Sequence, residues 1–200
     1  MKAIFLSASV PVEGRGNYYE TADPFLIQFA VRELMTATLG RRLIVWGGHP
    51  AITPMVWAVC EDLGVDYASA VVLYQSNFFA GHFPEENQKF DNVEYISAVP
   101  NDKDASLLQM REAMLSRADL TAAVFIGGME GVIDEYNLFR QFHPEDTVVA
   151  VSSPGGAAQQ LFKSQGHVNA EDIQNIDFAK IFHDRLGISP DEPRNTYSTT

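Results

Sequence analysis

Three pairs of glycines mark places where the chain could cradle a phosphate group. The pairs are Gly47 and Gly48, Gly127 and Gly128, and Gly155 and Gly156. Glycine lets the backbone approach a ligand and adopt a positive φ angle, and a helix that follows offers unpaired N–H groups and a partial positive charge. A single pair could equally serve only to make a tight turn. Three pairs in equivalent positions favour a phosphate site, and Ser7 and Ser9 stand in a similar position near the start of the chain.

Each of these positions follows an apolar run of the kind that forms a buried β-strand. Six runs typical of strands occupy residues 4–6, 43–46, 70–74, 93–96, 123–126 and 147–151. Helical patterns alternate with them at residues 24–38, 52–63, 104–117, 132–142, 156–165 and 176–186. This alternation predicts an α/β fold: a Rossmann-like, doubly wound, mainly parallel sheet of about six strands with helices on both faces. Ligands bind at the carboxyl edge of such sheets, where the glycines and serines would meet.

Composition excludes several classes of partner. The chain has 26 acidic and 14 basic residues and a formal charge of −12, which disfavours binding to nucleic acid or to an anionic membrane surface. No apolar run reaches the roughly 18 residues of a spanning helix. A lone cysteine, Cys60, fits a reducing compartment and a packed thiol. The composition therefore predicts a soluble, cytoplasmic protein with one domain over residues 1–188 and a flexible tail at 189–200.

Metal and cofactor chemistry is not indicated by any spacing in the chain. The five histidines, at positions 49, 82, 143, 167 and 183, lack the spacing of metal ligands, so we predict no metal site and no cofactor. None of the glycine pairs fits the strict Gly-x-Gly-x-x-Gly or Walker pattern. A hydride-transferring dinucleotide site and a phosphate-transferring ATPase are therefore disfavoured.

The segment from Met110 to Glu135 is the most specific in the chain. It resembles the helix, strand and loop of the SLOG superfamily, in which an Arg-Lys on a helix is followed by an apolar strand and then Pro-Gly-Gly-x-Gly-Thr-x-x-Glu. Arg111 stands at the arginine, Glu135 at the glutamate, and the glycine positions are taken by Gly127, Gly128 and Gly131. The superfamily includes the cytokinin-activating phosphoribohydrolases (lysine decarboxylase-like proteins), the DNA-processing protein A family and the ligand-sensing domain of the Thoeris antiphage effector.

Four departures from the family pattern bear on function. Ile126 replaces the proline, Glu112 replaces the lysine, and Val132 replaces a threonine whose hydroxyl could bind phosphate. Glu130 is an additional residue in the glycine loop, and its charge would repel a bound anion. We therefore expect Glu130 to point away from a phosphate, or to accept hydrogen bonds from ribose hydroxyls or a base amine. These departures disfavour hydrolysis of a simple nucleoside monophosphate.

The resemblance implies roles for individual residues. Glu135 would lie beside the ribose and stabilise a cationic sugar, and Arg111 would bind a phosphate or position Glu135. Alternatively, Glu135 only complements the dipole of its helix, and Arg111 is a solvent-exposed arginine on a helix. His49 could donate to a phosphate, and Thr53 would cap the helix that follows. The implied ligand-binding residues are Ser7, Ser9, Gly47, Gly48, His49, Arg111, Gly127, Gly128, Met129, Glu130, Gly131 and Glu135.

Two long turn-rich segments, residues 10–23 and 75–92, could complete the site. They carry the aromatic pairs Tyr18 and Tyr19, and Phe78 and Phe79, which could sandwich a base or simply pack locally. The site so assembled predicts a sensor of a nucleotide-derived ligand, such as an ADP-ribose-like or NAD-like signal, in signalling or defence. The alternative is a nucleotide N-glycosidase with Glu135 and Arg111 as catalytic residues. The resemblance also implies a homodimer or homotetramer.

Overall fold

The computed structural model describes residues 2–165 and 170–196, and its centre is a six-stranded sheet. The strands are β1 (Ala3–Ser9), β2 (Leu43–Trp46), β3 (Val71–Ser76), β4 (Asn92–Ile96), β5 (Leu120–Gly127) and β6 (Thr147–Val151). Their order is β4-β3-β2-β1-β5-β6, and every neighbouring pair is parallel. This confirms the predicted Rossmann-like α/β fold.

Seven helices connect or flank the strands within the described residues. They are α1 (Pro24–Thr38), α2 (Thr53–Leu63), α3 (Lys103–Leu115), α4 (Glu130–Phe142), α5 (Gly156–Ser164), the short α6 (Ala170–Ile173) and α7 (Phe178–Leu186). Three of them begin at an aspartate whose carboxylate accepts from backbone N–H groups of the first turn: Asp23, Asp102 and Asp177. The bounds of the six longer helices lie within two residues of the predicted ones at every end, whereas α6 was not predicted.

Helix α2 begins differently from the prediction. We expected Thr53 to cap this helix, but Thr53 is its first residue, so that prediction is wrong. The Thr53 hydroxyl instead donates to the backbone carbonyl of His49 at 3.0 Å and accepts from the backbone N–H of His49 at 3.3 Å. It therefore fixes the turn that joins β2 to α2.

The strands alternate their side chains between two hydrophobic layers, as parallel strands covered on both sides must. One layer packs the sheet against α1, α2 and α7, and the other packs it against α3, α4 and α5. In β1, Ile4 and Leu6 enter the first layer, whereas Ala3 and Phe5 enter the second. The next residue on the second face is Ser7, which brings its hydroxyl to the carboxyl edge of the sheet.

The side of β1 on which successive strands are added changes after β4, although all strands stay parallel. From β1 the chain moves outward through β2, β3 and β4, and then returns to the other side of β1 as β5. The carboxyl ends of β1 and β5 therefore flank the topological switch point, where open parallel sheets bind ligands. The connection from β3 to β4 contains two 3-10 turns, Asn77–His82 and Glu85–Lys89. The first follows β3 directly and so lies at this same end of the sheet, whereas the second leads into the amino end of β4.

The described part of the predicted tail, residues 189–196, contacts the turn between α1 and β2. Arg41 donates to the backbone carbonyl of Glu192 at 2.6 Å, and the backbone N–H of Asn195 donates to the carbonyl of Gly40 at 2.7 Å. Flexibility of the whole tail stays a prediction. Among the described residues, no helix combines the length and the apolar character needed to cross a membrane.

Helix α4, which carries Glu135, depends on Phe139 for its attachment to the sheet. Phe139 is fully buried, whereas Phe142 on the same helix is 39% exposed. We expect Phe139→Ala to lower the free energy of unfolding by about 3–5 kcal/mol, because it leaves a cavity under the helix. Phe142→Ala, the matched control, should cost about 1 kcal/mol or less. Urea titrations monitored by circular dichroism measure both, and equal losses would contradict this account of the packing.

Candidate functional site

A cleft of about 400 Å³ opens at the carboxyl edge of the sheet. Its walls come from the end of β1, Arg15, the β2–α2 turn, the end of β3 with residues 79–84, one face of α3, and the first two turns of α4. Nine of the predicted ligand-binding residues line it: Ser7, Ser9, Gly47, Gly48, His49, Arg111, Met129, Gly131 and Glu135. Gly127, Gly128 and Glu130 do not line the cleft, so direct contact of these three with a ligand stays a prediction.

A buried carboxylate forms the inner wall of the cleft. The Ser7 hydroxyl donates to Oε2 of Glu135 at 2.5 Å, and Nε of Arg111 donates to its Oε1 at 3.2 Å. Arg111 also pairs with the exposed Asp134 through Nη1 at 3.2 Å. The side chains of Arg111 and Glu135 are only 16% and 17% exposed, so the sheet, α3 and α4 meet in one polar cluster.

The environment of Glu135 changes its acidity in two directions. Burial raises the pKa of Glu135, because a desolvated carboxylate is harder to ionise, while the charge of Arg111 and the hydrogen bond from Ser7 oppose that rise. The net pKa of Glu135 lies above its ordinary value. Its contribution to folding stability therefore falls as the pH rises from the ordinary pKa through the raised one.

Gly131 leaves room for the guanidinium of Arg111. A Cβ at position 131 would lie 2.7 Å from Nη2 of Arg111, inside van der Waals contact. The glycine therefore gives Arg111 room to cross the first turn of α4 and reach Glu135. This explains one glycine of the motif as a steric consequence of the ion pair.

Gly127 and Gly128 shape the backbone rather than line the cleft. Both have positive φ angles, of 62° and 77°, and the N–H of Gly128 donates to the carbonyl of Ser9 at 2.8 Å. A Cβ at position 128 would lie 2.1 Å from Cγ2 of Val132, whose side chain is buried. Val132, which stands in place of the family's threonine, thus packs into the turn.

The third glycine pair does not face the cleft. The carbonyl of Thr21 would lie 1.9 Å from a Cβ at position 155, so residues from the 10–23 segment cover this turn. The N–H groups of Gly156 and Ala157, at the start of α5, donate to the Thr21 hydroxyl at 3.1 Å and to the Gly128 carbonyl at 2.9 Å. The expectation that all three pairs would meet a phosphate is therefore corrected: Gly155 and Gly156 bind other parts of the chain.

The turn after β2 encloses a side chain that the sequence analysis missed. Gly48 has a φ of 71°, and a Cβ there would lie 2.2 Å from the amide nitrogen of Gln75. That nitrogen donates to the carbonyls of Gly47 at 2.7 Å and Tyr74 at 2.9 Å. Gln75 follows the apolar run of β3 as Ser7 follows that of β1, and this shared position was the available signal.

His49 lies in the cleft as a neutral ring. Burial lowers the pKa of His49, which disfavours the imidazolium form. Its Nδ1 accepts from the backbone N–H of Ala51 at 3.2 Å, so the ring proton belongs on Nε2. His49 can therefore donate one hydrogen bond through Nε2 without carrying a charge.

The charge balance of the cleft is the reverse of that of the chain. Its lining includes three cations, Arg15, Lys103 and Arg111, but a single carboxylate, that of Glu135. Arg15 and Lys103 form no ion pair among the described residues. The sequence analysis missed both, although Arg15 lies in the turn-rich segment 10–23 that it marked as a candidate for the site.

The aromatic pairs have different surroundings. Phe79 lines the cleft and contacts Phe78 edge-to-face, with ring centroids 5.2 Å apart. Phe83, which was not predicted, also lines it. Tyr18 instead packs against the hydrophobic layer under α3–α5, and Tyr19 is exposed outside the cleft. The β3–β4 connection therefore gives the cleft an aromatic wall, and Trp46 at the end of β2 also lines it.

Two further predicted side chains lie elsewhere. Glu130 is exposed, and its carboxylate faces the segment 10–23, where a Cβ on Gly16 would lie 3.0 Å from Oε1. Cys60 is fully buried, and burial together with the charge of Glu61 raises the pKa of its thiol to about 12. Its thiol is therefore packed and un-ionised near neutral pH.

Three substitutions test the electrostatics of the carboxylate cluster. We expect Ser7→Ala and Arg111→Met to raise the pKa of Glu135 further, with the larger effect from Arg111, whose charge opposes the rise most. Asp134→Asn removes a nearby negative charge and should lower the pKa of Glu135. Carbon-13 NMR titration of the labelled glutamate carboxyl measures each shift. A pKa that is the same in all three variants would contradict the described contacts.

Comparisons with known proteins agree with this architecture. The fold is similar to the X-ray structure of TM1055, a target of the Northeast Structural Genomics Consortium, with a TM-score of 0.51 over 86% of this chain and 89% of that one, at 13% sequence identity. No curated protein matches the chain. The family model described as the SLOG cluster3 family matches residues 17–186, most of the chain. The family indicates nucleotide-related binding or processing, and the chain belongs to the SLOG cluster3 family.

Proposed function

We propose that the chain binds an anionic, nucleotide-derived ligand of the ADP-ribose or NAD type in this cleft, as a sensor in a signalling or defence system. The observation that carries the proposal is the reversed charge of the cleft. Acids outnumber bases by 26 to 14 in the whole chain, whereas three cations and one carboxylate line the cleft. A local excess of positive charge in a concave site attracts and retains anions.

The three cations reach the cleft from two parts of the chain. Arg15 comes from the segment after β1, Lys103 is the first residue of α3, and Arg111 lies two turns further along α3. Helix α4 begins at Glu130 without a side-chain cap, so the N–H groups of its first turn add to the positive potential. Such a distributed set suits an extended ligand with more than one phosphate better than a single small anion.

The remaining lining suits the other parts of a nucleotide. The cleft volume of about 400 Å³ lies in the range of small-molecule sites. Phe79 and Phe83 offer apolar ring surface for a base. The hydroxyls of Ser7 and Ser9 and the carboxylate of Glu135 offer partners for sugar hydroxyls.

Calorimetric titration tests the proposal. We expect binding of ADP-ribose or NAD that weakens as salt is added. Arg15→Gln and Lys103→Gln should each weaken it roughly 5- to 10-fold, since a partly exposed ion pair contributes about 1 kcal/mol. Lys163→Gln, a control that removes an exposed cation from α5 outside the cleft, should leave the affinity unchanged. Absence of heat with every ADP-ribose derivative, or equal losses in all three variants, would contradict the proposal.

A second candidate, a nucleotide N-glycosidase, is favoured by the position of Glu135. Its carboxylate lines the cleft, and Ser7 and Arg111 hold it in place. In such a reaction the bond between C1′ and the base nitrogen breaks, and the carboxylate stabilises the cationic sugar. Water then adds its oxygen to C1′, and the released base takes up a proton. Arg111 would bind the phosphate or keep the carboxylate oriented.

Release of free base distinguishes the two candidates. If the chain is an N-glycosidase, incubation with nucleoside monophosphates or NAD yields free base, and Glu135→Gln should abolish that release because a neutral amide cannot stabilise the cation. Chromatography of the products measures it. Ligand binding without any release favours the sensor, and release that persists in Glu135→Gln excludes this mechanism.

A further inference from the structure

Gln75 holds its side-chain amide in one orientation at the cleft. Its nitrogen lies within 2.7 Å of the Gly47 carbonyl and 2.9 Å of the Tyr74 carbonyl, and both of these partners can only accept. A flipped amide would place its own oxygen against two carbonyl oxygens. The hydrogen bonds therefore assign the nitrogen to this position without ambiguity.

The amide oxygen of Gln75 is left as a directed acceptor. No described residue donates a hydrogen bond to this Oε1, and it is not among the polar side-chain atoms that the fold buries without a partner. Gln75 lines the cleft although its side chain is largely buried. The glycine at position 48 keeps this arrangement possible, because a Cβ there would collide with the amide.

The surroundings of Gln75 differ from those of Glu135. Gln75 follows Leu73 on the sheet face that α1 and α2 cover, whereas Ser7 follows Phe5 on the opposite face, toward α3 and α4. The residues next along the chain, 77–84, bring Phe79 and Phe83 into the same cleft. The β3 side of the cleft therefore combines apolar rings with a neutral acceptor, while Arg111 and Glu135 line it from α3 and α4.

We propose that Gln75 determines base specificity: its Oε1 accepts a hydrogen bond from the exocyclic amino group of a base that packs on Phe79 or Phe83. This inference rests on the proposed function, because it names the part of a nucleotide that this end of the cleft binds. An oxo group at the same position of the base would face the carbonyl of Gln75 and leave two acceptors opposed and unpaired. Gln75 thus selects amino-bearing bases such as adenine over oxo-bearing bases such as hypoxanthine.

A contact between Gln75 and a ribose hydroxyl is the competing interpretation. A hydroxyl would satisfy Oε1 equally well, but it would not depend on the substituent of the base. Two ligands that share the ribose and phosphates and differ in the amino or oxo group therefore separate the interpretations.

The test compares ADP-ribose with inosine diphosphate ribose by calorimetry on the full chain. We expect the amino ligand to bind about 10-fold more tightly or better, because the mismatch leaves buried polar groups unpaired. Gln75→Met should bring the two affinities within about twofold of each other, because it removes the hydrogen bond to the amino ligand and also the opposed acceptors that weaken the oxo ligand. Gln28→Met, a control on the exposed face of α1, should keep the full preference.

The outcomes separate this inference from the proposed function. Binding of neither ligand overturns the proposed function and with it the role of Gln75. Equal binding of both, or preference for the oxo ligand, overturns the role of Gln75 and leaves the proposed function standing. If Gln75→Met does not fold, the side-chain amide signal of Gln75 in the unmodified protein decides by NMR: a shift with the amino ligand but not the oxo ligand supports the role, and identical shifts overturn it.

Discussion

The hydrogen-bonded ion pair between Arg111 and Glu135, completed by Ser7, is the constraint on which the rest of the site depends. It joins β1, α3 and α4 at the switch point of the sheet. Burial of a carboxylate is costly unless charged and polar partners compensate for the lost hydration. Arg111 crosses the first turn of α4 to supply that compensation, and the glycine at position 131 leaves room for its guanidinium. One glycine of a segment that resembles a phosphate-binding motif therefore makes room for the ion pair.

Glycines serve several different physical purposes in this fold. Gly131 accommodates a guanidinium and Gly48 accommodates an amide, whereas Gly128 accommodates the buried Val132 and Gly155 accommodates the backbone of residue 21. Only the first two purposes place a polar side chain at the cleft. The remaining glycines close the turns after β5 and β6 and allow the edge of the sheet to be packed. The polar groups that can contact a ligand therefore belong to the side chains for which these glycines leave room.

Most of the fold was predictable, because the apolar runs and the helical patterns are local features of the sequence. All six strands and the six longer helices coincide with their patterns, and the pairing of Arg111 with Glu135 follows from their places in the family motif. Arg15 and Lys103 were missed because their placement depends on how separate segments fold over the sheet edge, whereas Gln75 was missed although it follows an apolar run as Ser7 does. The sequence also did not show that residues of the 10–23 segment cover the turn at Gly155. The homo-oligomeric state stays a prediction.

A crystal structure of the chain soaked with ADP-ribose tests the central claim most directly. We expect ligand density inside the cleft, with a phosphate within hydrogen-bond distance of at least one of Arg15, Lys103 and Arg111, and the sugar on the side of Ser7 and Glu135. Density elsewhere on the molecule, with the cleft filled only by water at saturating ligand, would contradict it.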